Sequence, residues 1–250
     1  MFKNVELFYF SGTGNTLLLV EEMKEVFKEN EIKVSVKKIE DTYSPKINKD
    51  SLVGLLFPIN TNATMPFIWK FFKSLPEANA NPIFMVNTHN GTPAISRPLF
   101  KLLKGKGYNP VASCEILMPN NIQFDSMKPD ENNRVTLGKR KIREFTINLL
   151  EGSTVWDLNM KGSRLVSWLA RNTPLPWITS RLFCKFKVDK EVCQQCKVCV
   201  NNCPITNIKM DYFPQHLNKC QFCGRCITNC TERAIYIKGK KDSVTIKGVV

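Results

Sequence analysis

The sequence lacks several features that would assign it to a common class of protein. It has no low-complexity tract, and no apolar run approaches the roughly 20 residues of a membrane-spanning helix. Acidic residues are scarce, with 22 Asp and Glu against 36 Lys and Arg, which gives a formal net charge of +14. No secretory signal is recognisable at its start. No general base, nucleophile or open metal position is evident, so the residues offer no catalytic apparatus of their own.

Two cysteine runs towards the C-terminus are the most informative feature that is present. Each run has the spacing C-x-x-C-x-x-C-x-x-x-C, and Pro204 follows the first run directly. The eight cysteines are Cys193, Cys196, Cys199, Cys203, Cys220, Cys223, Cys226 and Cys230. This pattern resembles that of a two-cluster bacterial ferredoxin, in which the last cysteine of each run binds the other cluster. Such a module moves single electrons.

The resemblance implies a ligand set for each of two [4Fe–4S] clusters. Three cysteines of the first run and Cys230 would bind one cluster, and three of the second run and Cys203 the other. Many ferredoxins have glycine after the second cysteine of a run, and here Gly224 stands in the second run but Lys197 in the first. Structural zinc and a disulfide framework are the alternatives; zinc sites usually show separate C-x-x-C pairs, and disulfides require an oxidising compartment. Cys114 and Cys184 lie outside both runs and are interpreted as buried structural cysteines.

The N-terminal segment predicts a strand, a glycine-rich turn and a helix. The apolar run Val5 to Phe10 is followed by the string Ser11-Gly12-Thr13-Gly14-Asn15-Thr16, and residues 17–27 then show helical periodicity. This order presents backbone N–H groups and hydroxyls at a helix N-terminus, which suits a phosphate group. The string is neither a Walker A loop nor a G-x-G-x-x-G turn, because the lysine and the third glycine are missing. An empty helix cap is the alternative.

The string closely resembles the flavodoxin phosphate loop, which binds FMN. That family has a doubly wound parallel sheet with the strand order 2-1-3-4-5, and the FMN lies at the switch point between the first and third strands. The remaining pattern agrees with it: strands are predicted over 5–10, 32–39, 51–57, 82–88 and 111–118, and helices over 17–27, 66–75, 94–104 and 134–150. The link between the second and third strands is short and contains Pro45, so we expect a turn there.

Two further loops follow the third and fourth predicted strands, at the edge where such sheets bind ligands. They are Pro58, Ile59, Asn60 and Thr61, and Thr88, His89, Asn90 and Gly91. By resemblance to flavodoxins, these loops would bracket the flavin ring. Neither loop contains the tyrosine or tryptophan that many flavodoxins place against the ring. His89 is either a flavin contact or an ordinary surface residue, and we expect His216 to lie at the surface.

The sequence divides into residues 1–151, a flavin domain; 152–187, a connecting segment; and 188–250, a small α+β cluster domain. The loop at 119–133 either covers the flavin or simply connects two elements. The connecting segment is apolar, contains Arg164, Arg171 and Arg181, and is broken by Pro174 and Pro176. We interpret it as a packing bridge between the domains, with a helix at a membrane surface as the alternative. A short strand over 186–188 is predicted to pair with 234–237.

Basic residues crowd the cysteine region. They are Arg181, Lys185, Lys187, Lys190, Lys197, Lys219, Arg225, Lys238, Lys240 and Lys241. We interpret this face as one that steers an acidic redox protein. A solvated basic surface is the alternative, and nucleic-acid binding ranks lower because no recognition motif accompanies the charge.

The whole chain resembles the flavodoxin–ferredoxin fusion proteins of anaerobic bacteria. The resemblance implies a cytoplasmic, oxygen-sensitive carrier that passes electrons between FMN, two [4Fe–4S] clusters and a partner. Two other functions stay open. One is an FMN-dependent reductase of a small acceptor that is fed through the clusters, and the other is a redox sensor or scaffold that binds no FMN.

Overall fold

A five-stranded parallel sheet forms the N-terminal part of the molecule. The computed structural model describes residues 3–121 and 131–238. The strands are β1 (Asn4–Tyr9), β2 (Lys33–Lys38), β3 (Ser51–Pro58), β4 (Pro82–His89) and β5 (Asn109–Leu117). Their order is β2-β1-β3-β4-β5, and every neighbouring pair is parallel. This is the predicted flavodoxin-like fold.

Helices cover both faces of this sheet. They are α1 (Asn15–Glu29), α2 (Pro66–Ser74), α3 (Ser96–Gly105) and α4 (Glu131–Glu151). One apolar core joins the sheet to α2 and α3, and a second core joins the other face to α1 and α4. The central strand β3 is buried on both faces, which explains its continuous apolar run. The connection between β2 and β3 contains no helix, as the short link with Pro45 predicted.

The connecting segment, 152–187, contains two short helices. Helix α5 (Arg164–Asn172) begins where the Ser163 hydroxyl accepts a hydrogen bond from the Val166 amide at 3.3 Å. Helix α6 (Leu175–Phe183) carries its prolines at its start, where a missing amide hydrogen costs nothing. Ala170 and Trp177 are buried in the same core as α2, and the Arg171 guanidinium lies 4.8 Å from the centre of the Trp69 ring. The segment therefore packs against the sheet domain through one side.

The cysteine region is built from short elements. They are β6 (Phe186–Val188), α7 (Val198–Asn201), β7 (Ile208–Met210), β8 (Pro214–His216), α8 (Arg225–Thr228) and β9 (Ile235–Ile237). Strand β6 pairs antiparallel with β9, as predicted, and β7 pairs antiparallel with β8. Within residues 3–121 and 131–238, no helix has the length and apolar character needed to cross a bilayer.

Candidate functional site

A cavity of about 260 Å³ lies at the carboxyl ends of β1, β3 and β4. Eleven of the fourteen residues predicted to bind the flavin line it: Ser11, Gly12, Thr13, Asn15, Thr16, Pro58, Ile59, Asn60, Thr88, His89 and Asn90. Gly14, Thr61 and Gly91 are not part of the lining. Residues of three loops that are distant in sequence thus meet at one place, because parallel strands bring their carboxyl ends to the same edge.

The loop before α1 has the geometry of an anion site. Gly14 has a φ of 101°, a conformation that glycine adopts readily, and its amide donates to the Ser11 hydroxyl at 3.2 Å. The amides of the first turn of a helix have no intrahelical acceptor. No side chain caps the start of α1, so these amides are available to a ligand. No lysine or arginine is among the described residues that line the cavity. A phosphate there would be held by amides and hydroxyls.

Hydrogen bonds fix the three loops relative to one another. The Thr16 and Thr88 hydroxyls are buried and lie 2.9 Å apart, and the Ile59 amide donates to the Thr88 carbonyl at 2.8 Å. Thr61 and Asn62 have φ values of 54° and 57°. A positive φ is unfavourable for a β-branched residue such as Thr61, so the turn after β3 has a conformation that its neighbours must hold in place.

His89 supplies a buried polar atom without a partner. Its Nδ1 makes no hydrogen bond to any residue that the structure describes. Burial lowers the pKa of His89 below its usual value, which favours the neutral ring at neutral pH. Asn90 next to it accepts a hydrogen bond from Arg134 at 2.8 Å. A ligand in the cavity that reaches this nitrogen would supply the partner that it lacks.

Asn121 belongs to the site although the sequence analysis did not single it out. It is buried, and its amide nitrogen donates to the Thr13 carbonyl at 2.6 Å and to the Asn15 side chain at 3.1 Å. Residues 118–121 line the cavity. The start of the loop after β5 therefore braces the glycine-rich turn, while its remainder, 122–130, lies outside the described residues.

The second cysteine run forms part of the cavity wall. Phe222 and Cys223 line the cavity together with the loops of the sheet. The Asn60 side-chain amide donates to the Phe222 carbonyl at 3.3 Å, and the Cys223 carbonyl lies so close to Gly12 that a Cβ there would clash with it. Gly12 is therefore required by the close approach of the cysteine region. Phe222 is an aromatic residue of the cavity lining that does not come from the loops after β3 and β4.

Three more contacts attach the same run to the sheet domain. Gln221 accepts a hydrogen bond from the Phe67 amide at 3.0 Å, at the start of α2. Arg225 donates to the Ser11 carbonyl at 2.7 Å and forms a 2.6 Å ion pair with Glu40. The Arg225 and Glu40 side chains are 15% and 6% exposed. Arg225 therefore does not belong to an open basic face, which corrects the sequence interpretation.

The eight cysteines of the two runs divide between two enclosed spaces. Cys193, Cys196, Cys199 and Cys230 line one of them. Cys203, Cys220, Cys223 and Cys226 line the other. Each space thus combines three cysteines of one run with the last cysteine of the other run, the combination that the resemblance to a two-cluster ferredoxin implied. We call the first group the distal cysteine set and the second group, which shares Cys223 with the cavity wall, the proximal cysteine set.

The two runs repeat the same unusual backbone conformations. Positive φ values occur at Gln195, Lys197 and Thr206 of the first run, and at Phe222, Gly224 and Arg233 at the matching places of the second. Lys197 therefore adopts the left-handed conformation that Gly224 adopts without a side-chain penalty. The Lys197 side chain is exposed.

Backbone amides point at several of the sulfurs. The Asn207 amide lies 3.1 Å from Cys203 Sγ, and the Ala234 amide lies 3.3 Å from Cys230 Sγ. Burial raises the pKa of Cys223 to about 11 and raises the pKa of Cys226 well above its usual value. Such thiols are protonated and inert at neutral pH unless a metal binds them as thiolates. All ten cysteines of the chain are free of disulfide bonds.

His216 lies among the cysteines rather than at the surface. Its Nε2 is 3.6 Å from Cys226 Sγ, and its ring centre is 5.1 Å from that of Phe186. Burial lowers the pKa of His216 to about 4. The expectation of a surface position was wrong because the β7–β8 hairpin folds His216 back over the proximal cysteine set. Cys114 is buried as expected, whereas Cys184 is half-exposed.

No group of three or more His, Cys, Asp or Glu side chains in the described part of the chain is arranged around a single metal ion. A cubane does not require that arrangement, because its four thiolates bind four different irons.

Comparisons with known proteins add a fold-level likeness only. No protein-family model matches the chain, and no curated protein matches it. Among solved structures, it is similar to flavodoxin 2 of Bacillus cereus, with 14% identity over 59% of this chain and 98% of that one, at a TM-score of 0.43. It is also similar to the Megasphaera elsdenii flavodoxin, with 19% identity over 55% of this chain and 98% of that one, at a TM-score of 0.39.

A third similar structure is the rubredoxin oxygen:oxidoreductase of the anaerobe Desulfovibrio gigas. Identity is 14% over 59% of this chain, which spans only 37% of the length of that protein, and the TM-score is 0.39. Scores and identities as low as these carry no argument about function. The flavodoxin-like fold of the N-terminal part rests on the strand order of the chain itself.

Proposed function

We propose that the protein transfers electrons between an FMN in the cavity, two [4Fe–4S] clusters in the cysteine region and an external redox protein. FMN exchanges one or two electrons and each cluster exchanges one, so a chain that holds both can split a two-electron input into single deliveries or combine them. In this scheme residues 1–151 form the flavin domain, residues 152–187 the connecting segment and residues 188–250 the cluster domain.

The position of Cys223 carries this proposal. Cys223 belongs to the proximal cysteine set and also lines the cavity. A flavin in the cavity and a cluster in the proximal set would therefore be neighbours, with no intervening element. A cluster in the distal set would be the next centre after the proximal one. The two sets are linked because Cys203 of the first run lies in the proximal set and Cys230 of the second run lies in the distal set.

The residues of the cavity fit FMN. The uncapped amides of α1 and the hydroxyls of Ser11 and Thr13 would hold the phosphate. The loops after β3 and β4 would hold the ring, with His89 Nδ1 available as a hydrogen-bonding group. Phe222, whose ring centre lies 5.7 Å from that of Phe186, would pack against the flavin. These groups position the flavin and exclude water from it.

The residues of the cysteine region fit two cubanes. Each set offers four thiols, and the backbone amides beside Cys203 and Cys230 would stabilise the thiolates that iron requires. The repeated left-handed residues let both runs wrap their cysteines around a compact centre.

The proposed order of flavin, proximal cluster and distal cluster can be tested by removing one cluster at a time. Cys226→Ser should remove the cluster next to the flavin, and Cys196→Ser should remove the distal one. Both variants and the wild-type holoprotein are loaded with FMN without oxygen and mixed with a reduced ferredoxin, while the flavin absorbance is followed by stopped flow. We expect Cys226→Ser to slow flavin reduction markedly. Equal rates in the wild type and Cys226→Ser would contradict the proposal.

The same material separates the two alternatives. A reductase of small acceptors would turn over quinones or nitroaromatic compounds in the steady state with reduced ferredoxin, whereas a sensor or scaffold would take up no FMN. An acidic partner is proposed from the exposed Lys190, Lys197 and Lys219. Its rate of electron exchange should fall as ionic strength rises, and a rate independent of salt would exclude this surface.

A further inference from the structure

Helices α5 and α6 expose large apolar side chains at helical spacing. On α6 they are Leu175, Ile178, Leu182 and Phe183, and on α5 they are Leu165 and Trp168. The exposed fraction ranges from 42% for Ile178 to 85% for Phe183. We call these six residues the α5–α6 stripe. Scattered exposed apolar residues are ordinary, but a concentration of large ones on two consecutive helices marks an interaction surface.

The other side of the same helices already has its partner. Ala170 and Trp177 are buried in the core of the sheet domain, Ser167 donates to the Ala94 carbonyl at 2.7 Å, and Arg171 lies over Trp69. Packing against the sheet domain therefore explains why one side of α5 and α6 is apolar. It does not explain the exposed α5–α6 stripe.

The segment that carries the stripe has charge of one sign. Residues 158–188 contain six Lys and Arg and no Asp or Glu. Three of these six have other contacts: Lys161 lies 3.8 Å from Glu115, Arg171 stacks on Trp69, and Arg181 donates to the Cys220 carbonyl. Arg164, Lys185 and Lys187 are exposed. A surface that combines Trp, Phe and Leu with unopposed basic residues is complementary to anionic lipid headgroups above an acyl layer.

We propose that the α5–α6 stripe docks the protein on an anionic membrane surface, with the apolar side chains inserted at the boundary between headgroups and acyl chains. Arg164, Lys185 and Lys187 bind the lipid phosphates. Because Arg181 near the end of α6 contacts the Cys220 carbonyl at 3.4 Å, this docking brings the proximal cysteine set close to the bilayer. The proposal does not depend on which cofactors the chain binds.

Flotation of the full chain with vesicles tests this directly. The wild-type holoprotein is mixed with vesicles of phosphatidylcholine alone or of phosphatidylcholine with phosphatidylglycerol, and the floated fraction is measured. We expect flotation only with phosphatidylglycerol. The variant Leu182→Ser with Phe183→Ser should lose most of it, while Tyr43→Ser, which removes an aromatic ring that is 92% exposed elsewhere, should not.

A second pair of variants separates the stripe from the general positive charge. Lys185→Gln with Lys187→Gln should lower the partition coefficient by about fivefold for each charge removed, whereas Lys28→Gln with Lys33→Gln should change it little. Trp168 is the only exposed tryptophan of the four in the chain, so its emission should shift to the blue on binding.

Three results would overturn the proposal. One is no flotation with either vesicle. Another is flotation that both lysine pairs reduce equally and that Leu182→Ser with Phe183→Ser leaves intact, since this would be attraction by net charge alone. The third is a dimer in sedimentation that the same double variant dissociates without any lipid binding by the wild type, since the stripe would then be an interface between two copies.

Discussion

At the scale of single residues, Gly12 is constrained by another segment of the backbone. Its φ is not in the left-handed region, so a side chain is excluded by the Cys223 carbonyl and not by the turn itself. Gly12→Ala must therefore move the second cysteine run or the glycine-rich loop. We expect the free energy of unfolding of the holoprotein to fall by about 1–3 kcal/mol, as for other overpacked sites.

Denaturant unfolding under anaerobic conditions measures this loss. Gly105→Ala is the matched control, because a Cβ at Gly105 meets nothing within 4 Å. If the two variants were equally stable, the close approach of Cys223 to Gly12 would be wrong.

The ion pair between Arg225 and Glu40 is a second single-residue feature with a measurable consequence. Glu40→Ala leaves the largely buried Arg225 guanidinium without its carboxylate, and we expect a loss of about 3 kcal/mol in the free energy of unfolding. Glu77→Ala removes the exposed partner of the 3.5 Å pair with Lys106, and should cost less than about 0.5 kcal/mol. Equal losses in the two variants would show that Arg225 is solvated.

At the scale of elements, the last cysteine of each run lies with the first three cysteines of the other run. Cys203→Ser should therefore damage the cluster of the second run, and Cys230→Ser that of the first. In each variant we expect bound iron to fall from about eight atoms to about four per chain. Cys184→Ser, which changes a cysteine outside both sets, should keep the full complement.

Iron analysis alone does not say which cluster is lost, so the absorption spectrum of the bound FMN is measured as well. Only Cys203→Ser should change the absorption of bound FMN, because its cysteine set adjoins the cavity. A change of the flavin spectrum in Cys230→Ser and none in Cys203→Ser would reverse the assignment of proximal and distal sets.

The sequence predicted the elements whose pattern is local. Strand β3 was predictable because a strand buried on both faces is a continuous apolar run, and the start of α1 because the glycine-rich string precedes a periodic segment. The bounds of helices α5 and α6 were not predicted, because Pro174 and Pro176 suggested a break, whereas both lie at the start of α6, where proline is tolerated.

The contacts that join distant parts of the chain could not be predicted in the same way. Phe222 was not singled out from the sequence, and Asn121 was only part of the loop at 119–133. Each lines the cavity because of tertiary packing, which the spacing of residues along the sequence does not predict. The loops after β3 and β4 contain no tyrosine or tryptophan, whereas Phe222 of the second cysteine run lines the cavity.

At the scale of the whole molecule, the two parts differ in what stabilises them. The sheet domain has two large cores, whereas the core cluster of the cysteine region, within the described residues 188–238, consists of Cys199, Ile208, Ile227 and Ile235. So small a core does not stabilise a domain without metal or disulfides. Removal of iron by a chelator should therefore unfold residues 188–238 and leave the sheet folded.

Amide hydrogen exchange detects this difference in one experiment. After chelation, we expect fast exchange in β6 to β9 and continued protection in β1, β3 and β4, which serve as the internal control. Protection of β6 to β9 that survives loss of the iron would show that the cysteine region folds on its own.

The central claim is that one chain holds a single flavin directly beside one of two cubanes. The most direct test is the cofactor content of the protein after anaerobic reconstitution with iron, sulfide and FMN. The predicted result is about eight iron, about eight sulfide and about one FMN per chain, with Gly12→Ala lowering the FMN content. The claim would be contradicted by a protein that takes up no iron and sulfide. It would also be contradicted by a protein that binds clusters in both cysteine sets but no FMN.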